Sequence, residues 1–298
     1  MQYDLSSRIV VIRLSLPTLL KSWESRMYEH AASIIREAEA FVITAGAGMG
    51  VDSGLPDFRG DLGFWKAYPV YARRELSFAE CATPEYFTID PHFAWGFFGH
   101  CTSLYRETIP HHGFHLIKKW IKRNGADYFV VTSNVDGQFQ KAEYDEERIH
   151  EVHGSLQWLQ CHSCSNENIW YNDEVFRIDE ATMRAFDPLP RCKKCGEVSR
   201  PNALMFGDCW WRDRRSRHQE YAFDRFLQLN SARRIAVIEI GAGKVIPTIR
   251  ATSSNIGKNF DLATILRINP RDPEISSPHH SIPCGALEAL QHIDAFLG

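Results

Sequence analysis

What the chain lacks already narrows what it can be. It has no apolar run approaching about 18 residues, so no membrane-spanning helix is expected and no membrane partner. A net charge of −3 over 298 residues gives no bulk attraction to nucleic acid or anionic lipid. The most apolar early stretch, residues 8–20, is interrupted by Arg13 and Pro17 and has no small-residue cleavage site. Residues 1–23 therefore read as an N-terminal arm rather than a signal peptide. No disulfide framework is evident. Cys81, Cys101, Cys209 and Cys284 have no paired spacing and read as ordinary buried or half-buried thiols. That usage suits a reducing, cytoplasmic compartment.

What is present is a soluble-enzyme composition, 44% apolar and 24% charged. The rest is organised around residues 41–60. Phe41–Ile43 is a short apolar strand, followed by glycines at 46, 48 and 50. Such a turn lets main-chain N–H groups approach a phosphate. Two glycines alone would be weak evidence, but Ser53-Gly54-Leu55-Pro56 leads on to Asp57-Phe58-Arg59, a tail no helix start requires.

Before it, residues 22–40 lack Gly and Pro and carry Met27, Ala31, Ile34, Ile35 and Ala38 at helical spacing. After it, residues 61–68 read as a loop or short helix. Residues 78–125 read as helical pieces broken at Pro84, Pro91 and Pro110, with an aromatic cluster around Trp95 that reads as core. His111, His112 and His115 read as a surface helix start, and Gly125 as that helix's C-cap.

A strand at 127–132 runs into Ser133-Asn134-Val135-Asp136, where side chains reach a ligand crevice if the sheet is open and parallel. Residues 149–154 form a second strand ending at His153-Gly154. Cys161-x-x-Cys164 and Cys192-x-x-Cys195 fit two zinc knuckles closing one four-cysteine site. Four thiolates leave no open position, so that zinc is structural. His162, inside the first knuckle, reads as a spectator. Residues 210–218 are locally basic and read as a solvated helix face. Further strands fall at 234–240, containing an odd Glu239 that is either paired internally or at the rim, and at 262–268. The first of these ends in a second glycine turn, Gly241-Ala242-Gly243. Residues 285–297 close the chain as an amphipathic helix. Alternating strands and helices give an α/β fold: a Rossmann-like parallel sheet with helices on both faces, plus a small zinc module at 155–205 and a helical insert at 60–125.

The ordered series Gly46-Ala-Gly, Ser53-Gly-Leu-Pro-Asp57-Phe-Arg59, Thr132-Ser-Asn134-Val-Asp136, His153-Gly154, the cysteine pairs, Phe206-Gly207-Asp208 and Ile268-Asn269 resembles the sirtuins. The resemblance covers residues 24–298 and implies an NAD-dependent protein-lysine deacylase. It implies that Gly46, Ala47 and Gly48 bind phosphate. Asp57, Phe58 and Arg59 belong to the cofactor loop, with Phe58 screening the reacting ribose carbon. Ser133, Asn134 and Asp136 contact the nicotinamide ribose and carboxamide, Asn134 also serving catalysis. His153 is the general base and Asn269 reads the adenosine ribose. Gly241 and Ala242 complete the dinucleotide site, and Met205, Phe206 and Gly207 pair with an acylated peptide. The products would be the free lysine, nicotinamide and O-acyl-ADP-ribose. An ADP-ribosyl transferase or NAD-cleaving enzyme of the same fold is the alternative.

The chain departs from the family pattern at several places. Gly50 stands where the family has Ser or Thr, Ser133 where it has Gln, and Asp208 where it has Glu. The second glycine turn is one residue shorter and lacks two hydroxyls. Phe98 and Cys101 occupy the positions of a Tyr-x-x-Arg pair that reads acidic acyl groups, so acetyl or a longer apolar acyl is expected.

Overall fold

The computed structural model describes residues 16–57, 60–164 and 168–298. Phe58, Arg59 and residues 1–15 of the expected arm lie outside the described residues. In chain order, α1 spans Leu16–Glu37 and β1 Ala40–Ala45. Helices α2 to α5 are Gly60–Ala67, Pro69–Ala72, Phe78–Cys81 and Tyr86–Ile89, followed by α6 (Pro91–Glu107) and α7 (His112–Asn124). Then come β2 (Asp127–Thr132), α8 (Gln138–Lys141), β3 (Ile149–Glu151), β4 (Gly154–Cys161), β5 (Ile169–Tyr171), β6 (Ile178–Asp179), β7 (Arg184–Ala185) and β8 (Ser199–Ala203). The chain closes with α9 (Arg214–Leu229), β9 (Ile235–Ile240), α10 (Thr248–Asn259), β10 (Ala263–Ile268), β11 (His280–Ile282) and α11 (Ala286–Leu297).

The main sheet has the order β11-β10-β9-β1-β2-β3 and every pairing is parallel. Strands β1 and β9 are buried along their whole length, which is why they carry almost continuous apolar side chains. The chain winds outward from β1 to β3, then returns to β9 on the other side of β1. The switch point therefore lies between β1 and β9, where an open α/β sheet binds its ligands. Ala45 pairs with Ile240, so the two glycine turns leave the sheet side by side.

Helices α1, α7 and α11 cover one face through Ala31, Ile35, Ile117, Trp120, Leu290 and Ile293; α9 and α10 cover the other through Phe223, Phe226, Ile249 and Ile256. Within the described residues α1 already runs from Leu16, earlier than the expected residue 22. Gly125 ends α7 in the left-handed conformation, as a C-cap requires.

The helical insert and the zinc module share one core. Phe64, Tyr71, Trp95 and Phe97 pack with Leu156, Leu159, Met183 and Met205. Polar ties join the two parts: Arg184 makes a bidentate bridge to Asp90, and Trp95 Nε1 donates to the Ser199 carbonyl at 3.0 Å. Phe98 and Cys101 are buried in this core, Cys101 within 3.2 Å of the Tyr68 hydroxyl. Among the described residues no helix is long and apolar enough to cross a membrane.

Three expectations need correction. His111 is buried, not on the surface: its Nδ1 accepts from the Gly113 N–H as the α7 N-cap, and its Nε2 lies 2.9 Å from the Met49 carbonyl. Cys209, in the loop after β8, is exposed rather than buried or half-buried. The basic 210–218 stretch is not simply solvated, since Arg215 folds inward onto Glu151 and Ser216 is buried. The open question at Glu239 is resolved toward internal pairing: it is 1% exposed and its carboxylate receives Arg267 Nε and Nη2 at 2.5 and 3.0 Å.

Candidate active site and zinc centre

The C-terminal ends of β1, β2, β3, β9 and β10 supply the candidate site. After β1, Gly46 caps a short 3-10 turn, Ala47–Met49, whose Gly48 N–H donates to the Gly241 carbonyl at 3.1 Å. Gly241 adopts φ +64°, and a Cβ there would lie 2.4 Å from Gly48 main-chain atoms. The two turns thus interlock and require glycine where they touch. At Gly50, a Cβ would meet the Leu55 side chain at 3.1 Å.

After β2, Asn134 turns its amide onto the first turn, Nδ2 donating to the Gly46 carbonyl at 3.1 Å. The Ser133 N–H donates to the Ala45 carbonyl, extending the β1–β2 ladder by one residue. Asp136 is buried, its Oδ1 accepting from the Gln138 N–H at 2.9 Å. Burial first, then the charge of Glu151, pushes its carboxyl up to about 6. The group is still mostly ionised at pH 7.

After β3, the chain turns through His153 into β4. Gly154 has φ +72°, and a Cβ on it would strike the Asn202 carbonyl at 2.1 Å, so only glycine can follow the histidine. The His153 imidazole lies near the Ser133 main chain, and the His153 carbonyl accepts from the Leu204 N–H at 2.9 Å. Burial pulls the imidazole below the ordinary histidine range, which keeps it neutral at pH 7. The imidazole thus lies near the residue that precedes Asn134.

After β10, Asn269 is fully buried with its amide engaged by the main chain. Nδ2 donates to the Ala242 carbonyl at 2.8 Å, and Oδ1 accepts from the Arg271 and Asp272 N–H groups. It shapes the second glycine turn from behind. Asp57 forms an ion pair with Arg271 of the same loop, joining the start of the expected cofactor loop to the end of β10. Nothing in the sequence signalled that pairing, because 214 residues separate the partners.

The loop after β8 holds Met205, Phe206 and Gly207. Asp208 organises it from beneath: it bonds the fully buried Arg200 and accepts from the Met205 and Trp210 N–H groups. Met205 is buried, Phe206 and Gly207 are exposed, and the Phe206 N–H is taken by the Ala82 carbonyl.

The four cysteines Cys161, Cys164, Cys192 and Cys195 converge, all Sγ atoms lying within 4.8 Å of one another. Two of the separations are 3.6 and 3.9 Å. Four thiolates about 2.3 Å from a tetrahedral zinc stand about 3.8 Å apart. The set fits structural zinc with little reorganisation. The Cys164 N–H donates to Cys161 Sγ at 3.2 Å, which steadies the first knuckle. His162 bonds Thr88 Oγ1 at 2.6 Å and is no part of the thiolate cluster.

Sequence reasoning missed the groups behind β3. Glu151 is 1% exposed and Arg215 reaches it at 2.5 Å. A glutamate two residues before the histidine was visible in the sequence, but its arginine partner lies far along the chain, with the whole zinc module between.

Residues 46–227 match the model of the Sir2 family. The NAD-dependent protein deacylase of Thermococcus kodakarensis is 33% identical over 183 residues, covering 61% of this chain and 65% of that protein. The chain thus aligns with a little under two thirds of that relative's length. The NAD-dependent protein deacylase of Aquifex aeolicus is 27% identical over 235 residues, covering 79% of this chain and 85% of that protein. A solved Sir2 homologue mutant in complex with ADP ribose superposes with a TM-score of 0.68 at 24% identity, covering 90% of this chain and 96% of the other. That likeness shows a shared fold.

Proposed function

This chain belongs to the Sir2 family, and we propose that it removes acyl groups, acetyl foremost, from protein lysines in an NAD-dependent reaction. One arrangement supports the reading above all. Asn134 touches the Gly46 turn, and the His153 imidazole lies near the residue before Asn134. A phosphate turn, an amide and a neutral imidazole thereby share one strand-end crevice.

NAD, when bound, supplies a ribose carbon from which nicotinamide can leave. The donor set suits it. Gly46, Ala47 and Gly48, with Gly241 and Ala242, would line the pyrophosphate; the N–H groups of Gly46, Gly48 and Gly241 already serve main-chain carbonyls, so the Ala47 and Ala242 N–H groups would be the phosphate donors. Asn134 and Ser133 would contact the nicotinamide ribose. Asp136, a carboxylate at pH 7, would accept an N–H bond from the carboxamide. Asn269 would act on the adenosine end by fixing the second turn. Asp57, Phe58 and Arg59 would close over the nicotinamide end. His153, kept neutral by burial, has a lone pair with which to take a hydroxyl proton. An extended acyl-lysine peptide would lie along Met205–Gly207 at the exposed Phe206 and Gly207, beside the exposed Leu204, since the Met205 and Phe206 N–H groups are already taken by Asp208 and Ala82. The thiolates of Cys161, Cys164, Cys192 and Cys195 would hold zinc that orders this segment without touching the chemistry.

The test is incubation with NAD and an acetyl-lysine peptide, following nicotinamide and O-acetyl-ADP-ribose by mass spectrometry. Peptide-dependent formation of both is the expected result. Nicotinamide release indifferent to peptide would replace this reading with NAD cleavage or ADP-ribosyl transfer. NAD binding without turnover would replace it with a non-enzymatic module.

A further inference from the structure

Position 111 is bonded to the first glycine turn at two places. The His111 N–H donates to Ser53 Oγ at 2.9 Å, and His111 Nε2 lies 2.9 Å from the Met49 carbonyl. The other ring nitrogen serves its own helix: Nδ1 accepts from the Gly113 N–H at 3.0 Å as the N-cap of α7. These partners fix the state of the ring. An amide N–H can only donate, so Nδ1 is bare; a carbonyl can only accept, so Nε2 carries the proton. The imidazole is therefore neutral and in one tautomer, and a charged ring would lose the cap. Burial, which pulls it below the ordinary histidine range, acts in the same direction. Gly113 makes the room: a Cβ there would stand 2.6 Å from His111 Cε1 and 2.8 Å from Nδ1.

The contact reaches the phosphate turn through Met49. The Met49 N–H donates to the Gly46 carbonyl at 3.0 Å, and Asn134 Nδ2 donates to the same oxygen at 3.1 Å. That carbonyl shares a rigid peptide plane with the Ala47 N–H, so the bonds that hold it aim the Ala47 N–H the opposite way. His111 thus holds the residue that holds this plane. A second tie is Asp52, whose carboxylate accepts from the Leu287 N–H at 2.8 Å in the first turn of α11. The Ser53, Gly54 and Leu55 N–H groups donate back into the turn, to the carbonyls of Gly50 and Val51. A loop bonded in this way to itself keeps its curvature, but its placement depends on outside ties.

We propose that His111 is a positioning residue for the dinucleotide: as a neutral Nε2–H imidazole it straps the Met49–Ser53 segment to the start of α7 and so aims the Ala47 N–H at phosphate. The inference rests on the NAD-binding reading above for its consequence, whereas the strap itself can be measured without NAD.

The experiment compares the full chain with His111→Asn. Asparagine keeps an N-cap oxygen for α7 and is too short to serve Met49 as well. Nitrogen-15 NMR of the parent, with the His111 signals assigned by their loss in the variant, should show the neutral Nε2–H tautomer at pH 7.5. Hydrogen exchange at Ser53, Gly54 and Leu55 should quicken about three- to tenfold in the variant, as the loss of one hydrogen bond requires, while the α7 amides of Ile117 and Ile121 stay protected. The calorimetric Kd for NAD should rise by a similar factor, with Tm close to the parent's. An Nδ1–H or charged ring in the parent overturns the proposal. So does unchanged exchange in the turn, or unchanged NAD affinity once the turn has loosened. A weaker Kd accompanied by lost protection in α7 also overturns it, because that pattern marks general destabilisation. Should His111→Asn fail to fold, Ser53→Ala decides: it removes the acceptor of the His111 N–H, and it must quicken exchange at Gly54 and Leu55 and weaken NAD binding. If tautomer and exchange come out as expected and the parent binds no NAD, the functional reading has failed, and with it the phosphate role, while the strap stands.

Discussion

Gly241 meets Gly48 across the switch point of the sheet with no room for a methyl group: a Cβ on Gly241 would lie 2.4 Å from two Gly48 main-chain atoms. Gly243, two residues on in the same turn, has nothing within 4 Å of its Cβ position and no positive φ. Gly241→Ala should therefore destabilise the protein by about 2 kcal/mol or more and abolish NAD binding. Gly243→Ala should leave both nearly unchanged. Thermal denaturation and calorimetric NAD titration of the pair provide the check; equal effects would mean the interlock is unimportant.

Asp136 predicts an unusual pH dependence. Its carboxyl sits at about 6 in the fold, against 3.8 for the ordinary group. The native state therefore holds a proton that the unfolded state has already released between these values. Stability must fall as pH rises from about 4 to 6 and then level off. The buried charge costs on the order of 3 kcal/mol at pH 7. Asp136→Asn should raise Tm at pH 7.5 and do much less at pH 4.5. Denaturation scans at the two pH values decide it, and a variant less stable at both would contradict the sign.

Glu239 and Arg267 face each other in register on β9 and β10, both buried, and Arg267 Nη1 also donates to the Glu274 carbonyl at 2.7 Å. Removing one partner strands the other's charge. Glu239→Leu should cost about 3–5 kcal/mol in urea unfolding. The double change Glu239→Leu, Arg267→Met should cost less than the single one. A double variant worse than the single would show that the pair does more than neutralise itself.

Zinc should copurify at one equivalent per chain and be measurable by mass spectrometry. Chelation or Cys192→Ser should expose the core shared by the zinc module and the helical insert, because the metal contributes on the order of 10 kcal/mol locally. The soluble yield should fall, while the folded fraction that remains keeps its peptide KM. Intact yield with lost turnover would point to a catalytic metal instead.

His153→Ala should abolish peptide-dependent product while leaving NAD affinity within about threefold, since a base contributes typically about 10²–10⁴ in rate. Burial lowers the imidazole below the ordinary histidine range and raises Asp136 to about 6, so the acid limb of the pH profile should lie on the acid side of neutrality, where either group takes up a proton. Retained turnover in His153→Ala would remove the histidine from the base role.

Much of the fold was legible in the sequence because its strands are short apolar runs with punctuated ends. The glycine turn after Ala45, the C-cap at Gly125 and the Cys-x-x-Cys pairs each announce themselves through local chemistry. His111 misled because a histidine beside two others looks like a solvated helix start; its burial depends on Met49 and on α7's own first turn. Asn269 carried a motif, but its motif could not tell that its amide is engaged by the Ala242 carbonyl.

The sequence by itself determined the alternation of strands and helices, the residue types at the strand ends and the four thiolates, because each depends on neighbours within a few positions. Only the tertiary structure decided that Gly48 and Gly241 interlock, that the helical insert and the zinc module share one core, and that Arg215 answers the buried charge of Glu151. Those pairings cross long intervals of chain. They follow from the winding of the sheet on either side of β1, which no local pattern encodes.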